Sequence, residues 1–178
     1  MTNELVSVGY FAKRTAVPKG WDGPAGVVAI GSVSRCIGSA PEGWMERWLH
    51  NDWGFFASEE EARSSVDGDG YTVFAYRLLP RRFTKNGVEH LEVGAPFTAP
   101  LPAGCRPLGF DIVSRSFSAF FECSPLSCNG MAKEIAVNQW CLVEPLHDAV
   151  RLAERFAREE PEPGPYYVIE VLGGCAPA

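Results

Sequence analysis

Apolar and polar positions alternate along most of this chain in short extended runs cut by turns, and helical spacing is confined to a few places. Leu5 to Arg14 (LVSVGYFAKR) mixes β-branched and aromatic residues and predicts a strand. The Gly/Pro-rich stretch 18–24 predicts a loop, and the apolar run Val27 to Val33 a second strand. Pro41-Glu42-Gly43 opens a predicted helix through Leu49, with Trp44 and Trp48 four apart and so on one face. Trp53 to Ala57 follows as a short buried strand. Ser58-Glu59-Glu60-Glu61 matches a capping box, in which the Ser58 hydroxyl accepts from the Glu61 amide while the Glu61 carboxylate reaches back. The short helix it starts ends at Asp67-Gly68-Asp69-Gly70, and Tyr71 to Leu79 is a clear strand.

Pro80 to Pro107 holds five prolines and three glycines, with only Val88 to Val93 extended, and predicts a loop-rich connector with room for a small hairpin. Strands are then expected at Leu108–Arg115, Ser118–Cys123, Trp140–Val143 and Tyr166–Leu172, with a short helix at Asn129–Ala136. Pro145 to Arg158 carries the strongest helical pattern, since Leu146, Ala149, Val150, Ala153, Phe156 and Ala157 follow i, i+3, i+4, i+7 spacing. Pro145 suits its first turn, and Arg155 and Arg158 its last.

Read this way, both halves carry the same order of elements. Shifting residues 36–62 by 87 pairs Cys36 with Cys123, Gly43 with Gly130, Asn51 with Asn138, Trp53 with Trp140 and Ala62 with Ala149. That is five identities in twenty-seven positions, where random pairing gives about one or two. Gly9-Tyr10-Phe11 similarly resembles Gly109-Phe110-Asp111. The expected fold is α+β: one domain over 1–178, built from two pseudo-repeated strand-helix-strand-helix-strand halves (5–79 and 107–172) joined by a Pro-rich connector (80–106). They share a mixed or largely antiparallel sheet, with α/β as the alternative class.

Composition narrows the functional classes. The 178 residues are 46% hydrophobic and 21% charged, which fits one globular domain. A formal net charge of -6 argues against nucleic acid as a partner, because phosphate-backbone affinity comes from basic side chains. No apolar run reaches the ~18 residues of a membrane span, and Met1-Thr2-Asn3-Glu4 is acidic where a secretory signal is basic, so no membrane partner and a cytoplasmic location are expected. Six scattered cysteines in a chain of this size, without an export signal, predict reduced thiols.

Candidate chemistry concentrates between Ser114 and Gly130. A thiol at a helix N-terminus has a lowered pKa, which makes Cys128 a candidate nucleophile, with Cys123 second. His147 or His90 would act as base and Arg115 would stabilise an anion. The repeat ranks Cys128 first, because Cys123 has a counterpart in Cys36 whereas Cys128 faces Pro41, and a single active site needs asymmetry. Against this, no histidine spacing supports a triad, and a cysteine outside a motif is more simply a packing residue. Asn51 and Asn138 fit turn caps. Trp44 and Trp48 fit either the first half's core or an exposed recognition face. Arg81 and Arg82, with Arg77 and Lys85, form the one basic concentration, able to meet an acidic partner or simply to be solvated. Cysteine and histidine spacing gives no metal site, and the dinucleotide, P-loop, zincin and hydrolase motifs are absent, so no cofactor is expected.

Two functions follow from these features. The first is a cytosolic, non-catalytic protein-binding module in an inhibitor, immunity-type or adaptor role, its partner another protein. The alternative is a thiol-dependent transferase or hydrolase using Cys128 or Cys123.

Overall fold

The computed structural model describes residues 5–34, 54–93, 104–115 and 123–174. The predicted helix from Pro41 to Leu49 with Trp44 and Trp48, together with Cys36, Asn51, Trp53 and most of the predicted strand 118–123, lies outside the described residues.

Among the described residues six antiparallel strands form one sheet: β1 (Val6–Lys13), β2 (Thr72–Leu78), β3 (Arg81–Thr84), β4 (Gly87–His90), β5 (Arg106–Ser114) and β6 (Tyr166–Gly173). The class is therefore α+β, and every strand pairing in the sheet is antiparallel, which sets aside the α/β alternative. β6 is central and buried along its whole length, with β5 on one side and β2, continued by β3, on the other. β1 pairs with β2, and β4 folds back on β3 as a hairpin inside the Pro-rich connector.

The path of hydrogen bonds does not stop at β5. Phe110 bridges Val143, the Gly31 amide donates to the Trp140 carbonyl at 2.8 Å, and the Ile30 amide donates to the Thr15 carbonyl at 2.8 Å, just past β1. The sheet thus curls until its two sides meet through 28–31. Val27 to Val33 is accordingly not a strand: Ile30 and Val33 are buried, but the backbone bonds go to three separate places, leaving no ladder. In the described part of the expected strand 53–57, residues 54–57, and in the expected strand 140–143, only single bridges form, Tyr10 to Phe56 and Phe110 to Val143.

Three α-helices and a 3-10 turn complete the fold among the described residues. α1 (Glu59–Ser64) starts at the Ser58 capping box, with both reciprocal bonds present. α3 (Leu146–Glu159) lies across β3, β5 and β6 and buries Ala149, Ala153, Phe156 and Ala157 against Phe83, Ile112 and Val168. In place of a helix at 129–136 there is a four-residue α2 (Pro125–Cys128) and a 3-10 turn at Met131–Lys133. Pro125 pre-sets the first turn, and Gly130 at φ 70 breaks the run. The opposite sheet face is aromatic, with Phe55 stacked on Tyr76 at 4.9 Å between centroids and Phe11 and Phe74 in the same cluster.

Gly9 and Gly109 both have positive φ (121° and 138°), and each ends a register shift in its strand. A Cβ on Gly9 would lie 2.4 Å from the Phe56 carbonyl oxygen, and one on Gly109 would lie 2.8 Å from the Leu142 Cβ. These glycines let the flanking segments approach closely enough to bridge.

Candidate functional site

Three charged residues are buried inside strands: Glu170 in β6, which pairs with Arg77 of β2, and Lys13 in β1 and Asp111 in β5, both fully buried. Lys13 and Asp111 meet at the segment 32–34. Lys13 Nζ donates to the carbonyl oxygens of Ser32 and Ser34. Asp111 accepts from the Ser32 hydroxyl at 2.6 Å, the Val33 amide at 3.0 Å and the Ser124 hydroxyl at 2.6 Å. Ser124 is the N-cap of α2, yet its side chain makes no capping bond, because the hydroxyl is committed to Asp111. Burial pushes the Asp111 carboxyl above the ordinary carboxylate range, opposed by the bonds from Ser124, Ser32 and Val33 and by the Lys13 charge. A buried polar network with its donors and acceptors matched fixes one arrangement of the chain, and this one clasps β1, β5, α2 and 32–34 together.

Cys128 borders this clasp. Its sulfur lies 3.4 Å from the Ser34 hydroxyl and 3.9 Å from that of Ser127. It closes α2 rather than opening a helix, so the dipole that would lower its pKa points the other way. His147 sits on the first turn of α3 with its side chain 73% exposed, facing Asp148 at 3.5 Å, and His90 is on the exposed β4 opposite Arg81. The structure therefore does not bring a histidine to Cys128 among the described residues. Cys123 is half-buried, and its carbonyl accepts from the Ser114 amide at 2.8 Å. Cys141 is buried, with its thiol pushed up to about 12 by burial and then by Asp111 and Cys128.

Cysteine usage needs a correction. Cys123, Cys128 and Cys141 are free, as expected, but Cys105 is in a disulfide whose partner lies outside the described residues. Spacing along the chain carries no information on which cysteines the curled sheet brings together.

A second candidate surface lies at the hairpin. The Lys85–Asn86 turn projects from the sheet, and the Thr84 hydroxyl braces it by donating to the Gly87 carbonyl and accepting from the Asn86 amide. Residues on successive positions of β3 face opposite ways. Arg82 pairs with Glu89 across the hairpin and bonds the Tyr167 hydroxyl, beside which the Arg115 charge also falls. Phe83 faces the other way, toward α3. There a cleft of ≈ 360 Å³ is walled by Lys85, Val88, Glu154, Ala157 and Arg158, with Phe83 between them. It adjoins a cleft of ≈ 300 Å³ reaching Glu160, Pro165 and Tyr166, which shares Phe83, Thr84, Lys85, Asn86 and Ala157.

Of the residues singled out in the sequence, Arg82 and Arg115 are brought together around Tyr167, and Arg81 and Lys85 share the hairpin. Neither cleft is lined by the 114–130 segment. Sequence reasoning missed Lys13 and Asp111, whose signal is a charge in a strand that is otherwise apolar, and Arg158, which faces Lys85 only once α3 is docked.

Geometry defines the class: an antiparallel α+β protein with a buried lysine–aspartate clasp and a charged groove under a projecting hairpin. Comparison with protein-family models, with curated proteins and with solved structures gives no match. Among the described residues no group of histidine, cysteine and acidic side chains could hold a metal, and no helix is long and apolar enough to cross a membrane.

Proposed function

We propose that the protein is a non-catalytic protein-binding module, in an inhibitor, immunity-type or adaptor role, and that its binding surface is the β3–β4 hairpin with the groove beneath it. The observation that carries this reading is the contrast between the two polar regions. The Lys13–Asp111 network is buried and spends its groups on holding the chain, whereas the hairpin tip from Lys85 to His90 is exposed and flanks the clefts. Among the described residues catalysis by Cys128 has a thiol and two serine hydroxyls with no histidine brought to it, so it is not carried further. An exposed, braced turn on a rigid sheet is a common way to present a recognition surface.

We further read the domain as an internal duplication. Gly9 and Gly109 occupy matching bulges, and Tyr10–Phe56 matches Phe110–Val143. α1 starts at Glu59 and α3 at Leu146, the same 87-residue shift that relates Trp53 to Trp140. That shift also places Gly54 (φ 81) on Cys141 (φ 58), two left-handed positions in the same turn. On this reading the halves join where β2 pairs with β6, and the hairpin is the added part that gives an otherwise two-fold body one distinct surface. Disulfides are rare in reducing compartments, so Cys105 shifts the proposed location from the cytoplasm to an oxidising one.

Affinity capture from the native source tests the function. A partner that co-elutes stoichiometrically with wild type, and is lost when residues 84–87 are replaced by a Gly/Ser turn, is the expected result. A partner held equally by both proteins, or turnover of a small substrate abolished by Cys128→Ser, would overturn it.

A further inference from the structure

We infer that the groove between the hairpin and α3 receives an acidic segment of the partner, a carboxylate next to a bulky apolar side chain. This deepens the proposal that the hairpin is the binding surface, and rests on it. Several exposed cations on the described surface are paired with acids, Arg63 with Glu59, Lys133 with Asp22, Arg151 with Asp148 and Arg155 with Glu159, whereas Lys19 and Arg106 stand singly, away from either cleft. Lys85 and Arg158, on opposite walls of the ≈ 360 Å³ cleft, form no such pair. Two like charges lining one cleft repel, and a carboxylate bound between them relieves that repulsion.

The floor between them is apolar. Phe83 is buried, Ala157 nearly so, and Val88, 43% exposed, is one of two large hydrophobic side chains on the described surface that are left uncovered. Glu154, one helical turn before Arg158, supplies the polarity: it repels a second carboxylate and favours a donor at that end. Continuity with the ≈ 300 Å³ cleft past Phe83 gives room for an extended segment rather than an isolated ion. The site therefore recognises one acid in register with one apolar anchor, and not negative charge in general, which a chain of net charge -6 repels at longer range.

A phage-displayed random heptapeptide library selected against the immobilised wild-type protein tests this assignment. Enriched peptides are expected to carry Asp or Glu within two positions of Leu, Ile, Phe or Trp. Their binding should fall at least tenfold when that acid becomes its amide, and at least tenfold in Lys85→Glu/Arg158→Glu, while Arg63→Glu leaves it unchanged. Both altered residues are exposed, and an unchanged urea midpoint and circular dichroism spectrum verify that the variant is folded. No enrichment, enrichment without acids, or equal binding to the double variant would overturn the assignment. A native partner lost on replacing 84–87 but held by Lys85→Glu/Arg158→Glu overturns the acidic-segment inference alone and leaves the hairpin reading standing.

Discussion

Replacing Gly9 or Gly109 with alanine tests the close approach on which the sheet's curl depends. At Gly9 the new Cβ falls 2.4 Å from the Phe56 carbonyl oxygen and 2.7 Å from the Phe55 Cβ; at Gly109 it falls 2.8 Å from the Leu142 Cβ and 3.1 Å from the Val143 carbonyl oxygen. Both positions also hold φ values that L-residues rarely adopt. A disfavoured backbone costs about 1–3 kcal/mol, and overpacking against backbone that cannot retreat costs about 1–3 kcal/mol more. Each substitution should therefore destabilise by about 2–6 kcal/mol, a large part of the ~5–15 kcal/mol that holds a domain together. Gly87→Ala separates the two contributions, because φ there is 128° but nothing lies within 4 Å of the added Cβ. It should cost only the backbone share, about 1–3 kcal/mol. Urea unfolding followed by tryptophan fluorescence measures all three. Equal losses at Gly9, Gly109 and Gly87 would refute the argument, since the flanking bridges would then not be in contact with the glycines.

Four further outcomes follow from the interior. Asp111→Ala strips the acceptor from three buried donors and should cost about 3–5 kcal/mol in the same unfolding assay. Because burial raises the Asp111 pKa in the native state, the native protein takes up this proton at higher pH than the unfolded chain. Its contribution to stability is thus full below the unfolded carboxylate value and is lost as pH rises through the native one. Relative to Asp111→Asn, wild type should lose stability as pH rises from about 4 toward neutrality, and a difference that grows in favour of wild type would contradict the sign. With one disulfide among six cysteines, denatured but unreduced protein should titrate four thiols and reduced protein six; six before reduction would remove the disulfide. In the folded protein iodoacetamide should modify half-buried Cys128 and Cys123 well before Cys141, which is buried and held in its thiol form.

Much of the scaffold is legible in the chain because it depends on local pattern. The alternating runs around Phe11, Phe74, Ile112 and Val168 become β1, β2, β5 and β6, the Ser58 capping box forms, and the apolar stripe from Ala149 to Phe156 packs as read. What is not legible depends on distant partners. Val27 to Val33 has a strand's composition, but its amides find acceptors at Thr15, Gln139 and Trp140 instead of one neighbour. The helix expected from Asn129 is cut because Gly130 adopts a left-handed conformation and Pro125 starts a turn earlier. Lys13, Ser32 and Asp111 are joined across the whole chain, so nothing in their separate neighbourhoods announces the clasp. The groove is a similar case: Lys85 is visible as part of a basic run, but its facing partner Arg158 reads as an ordinary helix-end cation until α3 is laid against β3.

The central claim, that the hairpin is where this protein meets its partner, is tested most directly by site-specific photo-crosslinking in the native source. A photoreactive residue at exposed Asn86 is compared with one at exposed Glu60 on α1. One discrete cross-linked species is expected from position 86, weakened in Lys85→Glu/Arg158→Glu, and none from position 60. The same species from both positions, or from position 60 alone, would contradict it.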